Sequence, residues 1–155
     1  MTRWHIGQVF PRASMDAIED AIRASETVHS GQIRFVVEGA LHPAAVLNRQ
    51  SPRERAVEVF SLLKIWDTEH NNGVLIYLLL ADRAVEIVAD RGVNAKVPAQ
   101  EWCNICEAMQ HTLRTGDYDK AVLSGIQNIT THLARHFPPG ASRSGNELPD
   151  RPTVL

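Results

Sequence analysis

Residues 67–92, DTEHNNGVLIYLLLADRAVEIVADRG, decide how the chain folds. Their centre, Val74 to Ala81, is an unbroken apolar run rich in branched and aromatic types, with Asn71-Asn72-Gly73 before it and Asp82-Arg83 after it. A strand with one wet face alternates, so an unbroken run bounded by turn formers predicts a strand covered on both faces. After the Asp82-Arg83 turn, Ala84 to Ala89 alternates as an adjoining strand should, which predicts a hairpin. Acids and amides crowd one end of the unit. Asp67, Glu69, Asn71 and Asn72 precede the first strand, and Asp90 and Arg91 follow the second.

Upstream, Trp4, Ile6, Val9 and Phe10 end at Pro11 and read as a short strand or an arm packed on the domain. Ser14 is placed to cap a helix whose stripe is Met15, Ile18, Ala21 and Ile22, running to about Glu26. Beyond Gly31, Gln32 to Val37 predicts a strand with Ile33, Phe35 and Val37 on one face. Ser51-Pro52-Arg53-Glu54 is a capping box with proline at the first helical position, so a helix starts there. Its expected stripe is Ala56, Val57, Phe60, Leu63 and Trp66. Downstream of the hairpin, Pro98 opens a helix with Trp102, Ile105, Cys106, Met109 and Leu113 on its apolar face. Gly116 suits its C-terminal cap. Asp117 can cap a last helix carrying Val122, Ile126, Ile129 and Leu133.

Strand, helix, strand in this order requires a right-handed parallel crossover, to which the hairpin adds an antiparallel member. The expected architecture is a three-layer α/β/α sandwich around a small mixed sheet of three to four strands. One domain should span 1–139. Half of the 8 prolines fall in the last 18 residues, so 140–155 reads as an extended proline-rich tail.

The 155 residues carry 44% hydrophobic and 22% charged side chains and a net charge of -2. Nothing there recruits nucleic acid or an anionic membrane surface. The longest apolar run is far short of the ~20 residues of a membrane helix, and the first residues lack a signal-peptide core. A soluble, cytoplasmic protein is expected. Cys103 and Cys106 share a helix face, follow no strand and have no second pair to complete a zinc site, so two small residues on a helix stripe is the preferred reading over a redox pair.

Phosphate loops, a Gly-x-Ser-x-Gly elbow, His-Glu-x-x-His and an Asp-x-Asp-x-Thr after a strand are all missing from the sequence. Asn128-Ile129-Thr130 matches a glycosylation sequon by accident of a helix. His132 and His136, four apart, lack an evident third ligand and read as histidines near a helix C-terminus. His70 stays as an outside candidate beside the acids.

Topology supplies the main constellation. In the expected sheet, the turns at 26–31 and 67–72 and the Asp90-Arg91 pair face one edge. Carboxylates, amides and main-chain carbonyls are the ligands a hard divalent cation requires. The competing reading makes Asp67 and Asp90 turn and capping residues, with Arg91 neutralising them. At the opposite edge, Glu38 and Asp82-Arg83 stand at the carboxyl ends of the strands, where ligands of open α/β sheets usually bind.

The chain resembles the TPM domain family, whose name joins a thylakoid lumen phosphatase, a photosystem II repair factor and a receptor modulator. The features that carry the resemblance are the helix ending in Glu26, Ser30-Gly31-Gln32-Ile33, Asn71-Asn72-Gly73-Val74-Leu75-Ile76, Glu86-Ile87-Val88-Ala89-Asp90-Arg91-Gly92, Trp102 and Phe137-Pro138. It implies a divalent cation near the acidic edge, calcium first with magnesium or manganese as alternatives. The implied metal ligands are Glu26, Asp67 and Asp90, with Asn71 or Asn72 adding oxygen. It also implies an accessory module acting on a protein partner such as a membrane-associated complex, and in some members a weak acid phosphatase. In the phosphatase case Asp90 and Arg91 are the candidate catalytic residues. Relatives are often secreted or anchored; this sequence lacks those signals and looks like a stand-alone cytosolic member.

Overall fold

The computed structural model describes residues 3–140 and 147–155. In chain order the elements are α1 (Arg3–Val9), α2 (Arg12–Ser25), β1 (Gln32–Glu38), α3 (Pro43–Leu47), α4 (Pro52–Leu62), β2 (Gly73–Leu79), β3 (Ala84–Ala89), α5 (Arg91–Asn94), α6 (Ala99–Arg114), α7 (Tyr118–His136) and β4 (Thr153–Val154). They form a four-stranded mixed sheet in the order β3-β2-β1-β4. β1 is parallel to β2 and β4, and β3 is antiparallel to β2.

β2 is buried at all seven positions, as an apolar run without alternation requires. Its residues serve two cores in turn. Val74, Ile76 and Leu78 join Ile33, Phe35 and Val37 of β1 under α1, α2, α6 and α7. Leu75, Tyr77 and Leu79 face the other way, against Ala56, Val59 and Phe60 of α4 and against Leu148. This is the expected α/β/α sandwich, with α1, α2, α5, α6 and α7 on one face and α4 with Leu148 and Leu155 on the other.

The helix starts follow local chemistry. Ser51 Oγ accepts the Glu54 N–H at 3.1 Å, with Pro52 at the first position. Asp117 accepts the Lys120 N–H and starts α7.

Four details differ from the sequence reading. The N-terminal segment is helical, α1, and its periodicity places Ile6 and Phe10 one turn apart, both buried. Pro11 stands at the N-cap of α2, so that helix begins before Ser14, whose hydroxyl bonds Asp119. In α4 and the turn after it, Val57 and Trp66 are 46% and 49% exposed, while Val59 and Ile65 are buried in their place. The chain leaves the helix after Leu62 and makes a left-handed turn at Lys64 (φ 55), which rotates Ile65 inward.

The fourth concerns the tail, of which residues 141–146 lie outside the described residues. Residues 147–155 are built into the fold. β4 pairs with Val36 and Val37, Leu148 is buried, and Leu148 N–H donates to Gln32 Oε1 at 3.0 Å. Arg34, buried on β1, holds this segment through the Pro149 carbonyl and Thr153 Oγ1. A polar pair inside a strand, Gln32 and Arg34, thus finds its partners in a segment over a hundred residues away.

Candidate functional site

The N-terminal edge of the parallel strands is assembled by main-chain bonds between three turns. Gln32 N–H donates to Asn72 O at 3.2 Å, which ties the turn after α2 to the start of β2. Asp90 N–H donates to Gly73 O, and Gly92 N–H to Asn71 O, both at 2.9 Å, which ties the end of β3 to the same place. The strand register makes this unavoidable, since Gln32 lies opposite Gly73 and Val74 opposite Ala89.

Asn72 is the centre of this edge and has no exposed surface. Its N–H donates to Thr68 Oγ1 and its Nδ2 to the Ser30 carbonyl. Its Oδ1 is buried and lacks a hydrogen-bond donor among the described residues. Asp90 caps α5, its Oδ1 accepting the Arg91 N–H at 2.8 Å, while its Oδ2 is also buried and without a donor. Asn71 adopts φ 52, a left-handed conformation that asparagine tolerates, and turns its carbonyl toward Gly92. A Cβ at Gly92 would stand 2.5 Å from His70 O and 2.6 Å from Asn71 O, so a bare α-carbon is what lets the two turns meet.

The other expected ligands are placed differently. Asp67 is exposed on the neighbouring turn, with its N–H on Lys64 O. Glu26 is buried, and its Oε2 accepts the Ile33 N–H at 2.9 Å. In β1 that N–H points to the side of β4, below the stretch β4 covers, so Glu26 closes the bare outer edge of β1. Asp90 ends β3 on the far side of β2, two to three strand spacings away, on the order of 10–14 Å. The structure therefore brings the main chains of Asn71, Asn72 and Asp90 together, leaves Asp67 on the adjoining turn and sets Glu26 apart.

One acid arrives that local sequence could not place. Glu147 Oε2 accepts the Glu69 N–H at 2.9 Å, so the C-terminal segment adds a carboxylate to the same end of the sheet. Thr68 is the other omission; its role as acceptor for Asn72 N–H depends on the tertiary turn. His70 is exposed beside Glu69.

The donor set at Asn72 and Asp90 is oxygen throughout, suited to a hard cation and not to zinc or copper. Two buried oxygens without donors are what such an ion would satisfy. Among the described residues, no group of three or more His, Cys, Asp and Glu side chains is arranged to hold a metal, so amide and main-chain oxygens would have to contribute.

At the opposite edge, Glu38 is engaged on every side. Arg55 donates twice, at 2.8 and 3.0 Å, and Tyr77 Oη donates at 2.6 Å. Burial pushes the Glu38 carboxyl up, but the bonds from Arg55 and Tyr77 outweigh it and leave its pKa below the usual value. Arg55 also pairs with Glu58. This is a strap tying α4 to the sheet. Asp82 and Arg83 are exposed at the hairpin turn, with Arg83 at φ 48. His132 contacts Glu101 at 3.6 Å and stacks edge-on against Trp102. Ser25 Oγ lies 2.8 Å from Nε2 of the fully buried His29 and 2.5 Å from Thr130 Oγ1, a polar lock between α2 and α7.

A mixed sheet of this order between helical layers makes the chain an α/β sandwich. The sequence profile of the TPM domain matches residues 7–132, and the chain belongs to the TPM domain family. It is similar to the BA42 protein of the psychrophilic bacterium Bizionia argentinensis, known from an NMR structure. The two are 31% identical, with a TM-score of 0.80 over 92% of this chain and 93% of that one. The N-terminal domain of a P. gingivalis protein shares the fold, with a TM-score of 0.69 and 16% identity over 85% of this chain and 83% of that one. No curated protein matches the chain. No helix among the described residues is long and apolar enough to cross a membrane.

Proposed function

We propose that this chain is a divalent-cation-binding module, calcium first with magnesium or manganese as alternatives, holding its ion at the edge formed by Asn71, Asn72 and Asp90. The observation that carries the reading is the pair of buried oxygens without donors, Asp90 Oδ2 and Asn72 Oδ1. Leaving a buried acceptor unpaired costs about 1–3 kcal/mol, more when it is charged, so folded proteins rarely keep two such atoms at one edge without use. Asp67 and Glu147 stand nearby as further carboxylates. Among the described residues the edge offers no nucleophile hydrogen-bonded to a base, and the Ser25–His29 pair is buried between helices. An accessory role toward a protein partner therefore fits better than turnover.

A second reading rests on Arg91. Its side chain is exposed next to Asp90 and forms no ion pair among the described residues. In a metal-dependent acid phosphatase, a bound ion would polarise the phosphoryl group, and Arg91 would hold the anionic oxygens in a bidentate grip.

Calorimetric titration of the wild type and Asp90→Asn with each of the three ions tests the first reading. Binding by the wild type and its loss in the variant are expected. Absence of binding for all three ions, or equal binding by the variant, overturns it. Hydrolysis of an aryl phosphate that needs the metal and disappears in Asp90→Asn and Arg91→Ala would establish the second reading.

A further inference from the structure

The outer edge of β3 presents an unfinished ladder. Even-numbered residues of β3 direct their main-chain groups to β2, as Asp90 N–H onto Gly73 continues to show, so Val85, Ile87 and Ala89 direct theirs away from the sheet. Single side chains meet these groups. Gln110 Oε1 accepts from Val85 N–H at 3.0 Å, Arg53 Nη1 donates to Ile87 O at 2.5 Å, and Asn94 Nδ2 donates to Ala89 O at 2.8 Å.

Polar side chains at an edge are a common guard against stray strands. Here, however, the guards stand in front of a groove of about 560 Å³. Val97, Trp102 and Cys106 are its main apolar lining, and Arg53, Glu86 and Glu107 are its charged groups. The Trp102 indole N–H, in a residue only 6% exposed, lacks an acceptor among the described residues.

We propose that this groove takes an extended peptide segment as an added strand beside β3, with small apolar side chains toward Trp102 and Cys106 and an acidic residue where it meets Arg53. The ladder supports the backbone part. Three outward residues, spaced at about 6.8 Å, can each exchange two main-chain bonds with an antiparallel strand, and each guard need only rotate at its tip. The acidic residue rests on Arg53 alone, the one basic side chain among the described residues of a lining that also holds Glu86 and Glu107. An incoming N–H takes Ile87 O from Arg53, whose remaining contact, Glu86 at 3.7 Å, is too long for a hydrogen bond. The guanidinium fork is then free for a carboxylate. A second copy fits less well, because antiparallel pairing of two β3 edges about Ile87 would bring two Arg53 side chains together. The inference is independent of any ion at Asp90.

The test titrates ¹⁵N-labelled chain with pools of acetylated, amidated seven-residue peptides that alternate Asp or Glu with Ala, Val, Ile or Thr. Saturable shifts are expected at the Val85, Ile87 and Ala89 amides and at the side-chain amides of Gln110 and Asn94. Methylating alternate peptide nitrogens should abolish them. Arg53→Glu, with an unchanged melting temperature, should weaken binding by about tenfold or more, and lysine in place of the peptide acid should restore it. Unmoved amides at millimolar peptide, or equal binding by the methylated peptides, overturn the proposal. Broadening of the same amides that grows with protein concentration in the absence of peptide assigns the edge to a second copy and also overturns it.

Discussion

Replacing Gly92 by alanine tests the assembly of the candidate edge without touching a candidate ligand. The new methyl would sit 2.5 Å from His70 O and 2.6 Å from Asn71 O. Ordinary C···O contacts begin near ~3.3 Å, so the two carbonyls must retreat by about 0.7–0.8 Å. Both belong to backbone already fixed on one side by Asn72, whose amide and main chain are bonded to Thr68, Ser30 and Gln32. Overpacking of this kind costs about 1–3 kcal/mol. For a chain of this length each kcal/mol moves the melting temperature by roughly 2–4 °C, giving an expected drop of about 2–12 °C. Gly7→Ala is the matched control. Gly7 is an exposed position of α1, and an added Cβ there meets nothing within 4 Å. Alanine should stabilise that helix by about 0.5–1 kcal/mol. Thermal melts followed by circular dichroism, checked against urea unfolding, read both variants. A melting temperature for Gly92→Ala within about 1 °C of wild type would refute the close approach, since the smallest overpacking cost exceeds that shift.

Three further outcomes are expected. Glu38 has a native pKa below its usual 4.5, so its ionised form stabilises the fold above that pH, and the contribution is lost as pH falls through the lowered native value. Glu38→Gln should therefore flatten the acid side of the stability–pH curve, whereas curves parallel to wild type would contradict the strap. Burial, with Glu86 adding to it, pushes the Cys106 thiol up to about 12, while Cys103 is exposed. Iodoacetamide at pH 8 should therefore alkylate Cys103 alone in the folded chain, and mass spectrometry showing equal labelling would contradict this. Glu26→Ala removes the acceptor of the Ile33 N–H and should cost about 1–3 kcal/mol in urea unfolding, with faster hydrogen exchange at that amide. A cost below about 0.5 kcal/mol would place the carboxylate elsewhere, since an unsatisfied buried donor is worth more than that.

What the sequence made legible follows the reach of its physics. β2 and β3 could be read because burial on two faces and burial on one leave different local patterns. The capping box at Ser51 could be read because its two partners are three residues apart. From strand order alone, Asn71, Asn72 and Asp90 could be assigned to one edge, because register carries the turns with it. Glu26 could not be separated from them, since the direction of the Ile33 N–H depends on which neighbour β1 has on each side. β4 and Glu147 were hidden for a related reason. Arg34 and Gln32 announce that partners are needed on β1, but not that residues 147–153 supply them. The Trp66 error came from extending helical periodicity through Lys64, where a positive φ resets the phase.

Tyr77 has a consequence for how the sheet finds its alignment. β2 is apolar toward both cores, so hydrophobic patterning alone gives little reason to prefer one pairing with β1 over its neighbour. Its one mid-strand polar atom is the Tyr77 hydroxyl, which meets Glu38 beneath Arg55. A slip of one residue would turn that hydroxyl into the core beneath α2 and α7, stranded at a cost of about 1–3 kcal/mol. A slip of two would keep the face but carry it roughly 6.6 Å past the carboxylate. A single oxygen thus acts as the index mark of an otherwise featureless strand, and Tyr77→Phe should leave the packing intact while letting the sheet misalign during folding.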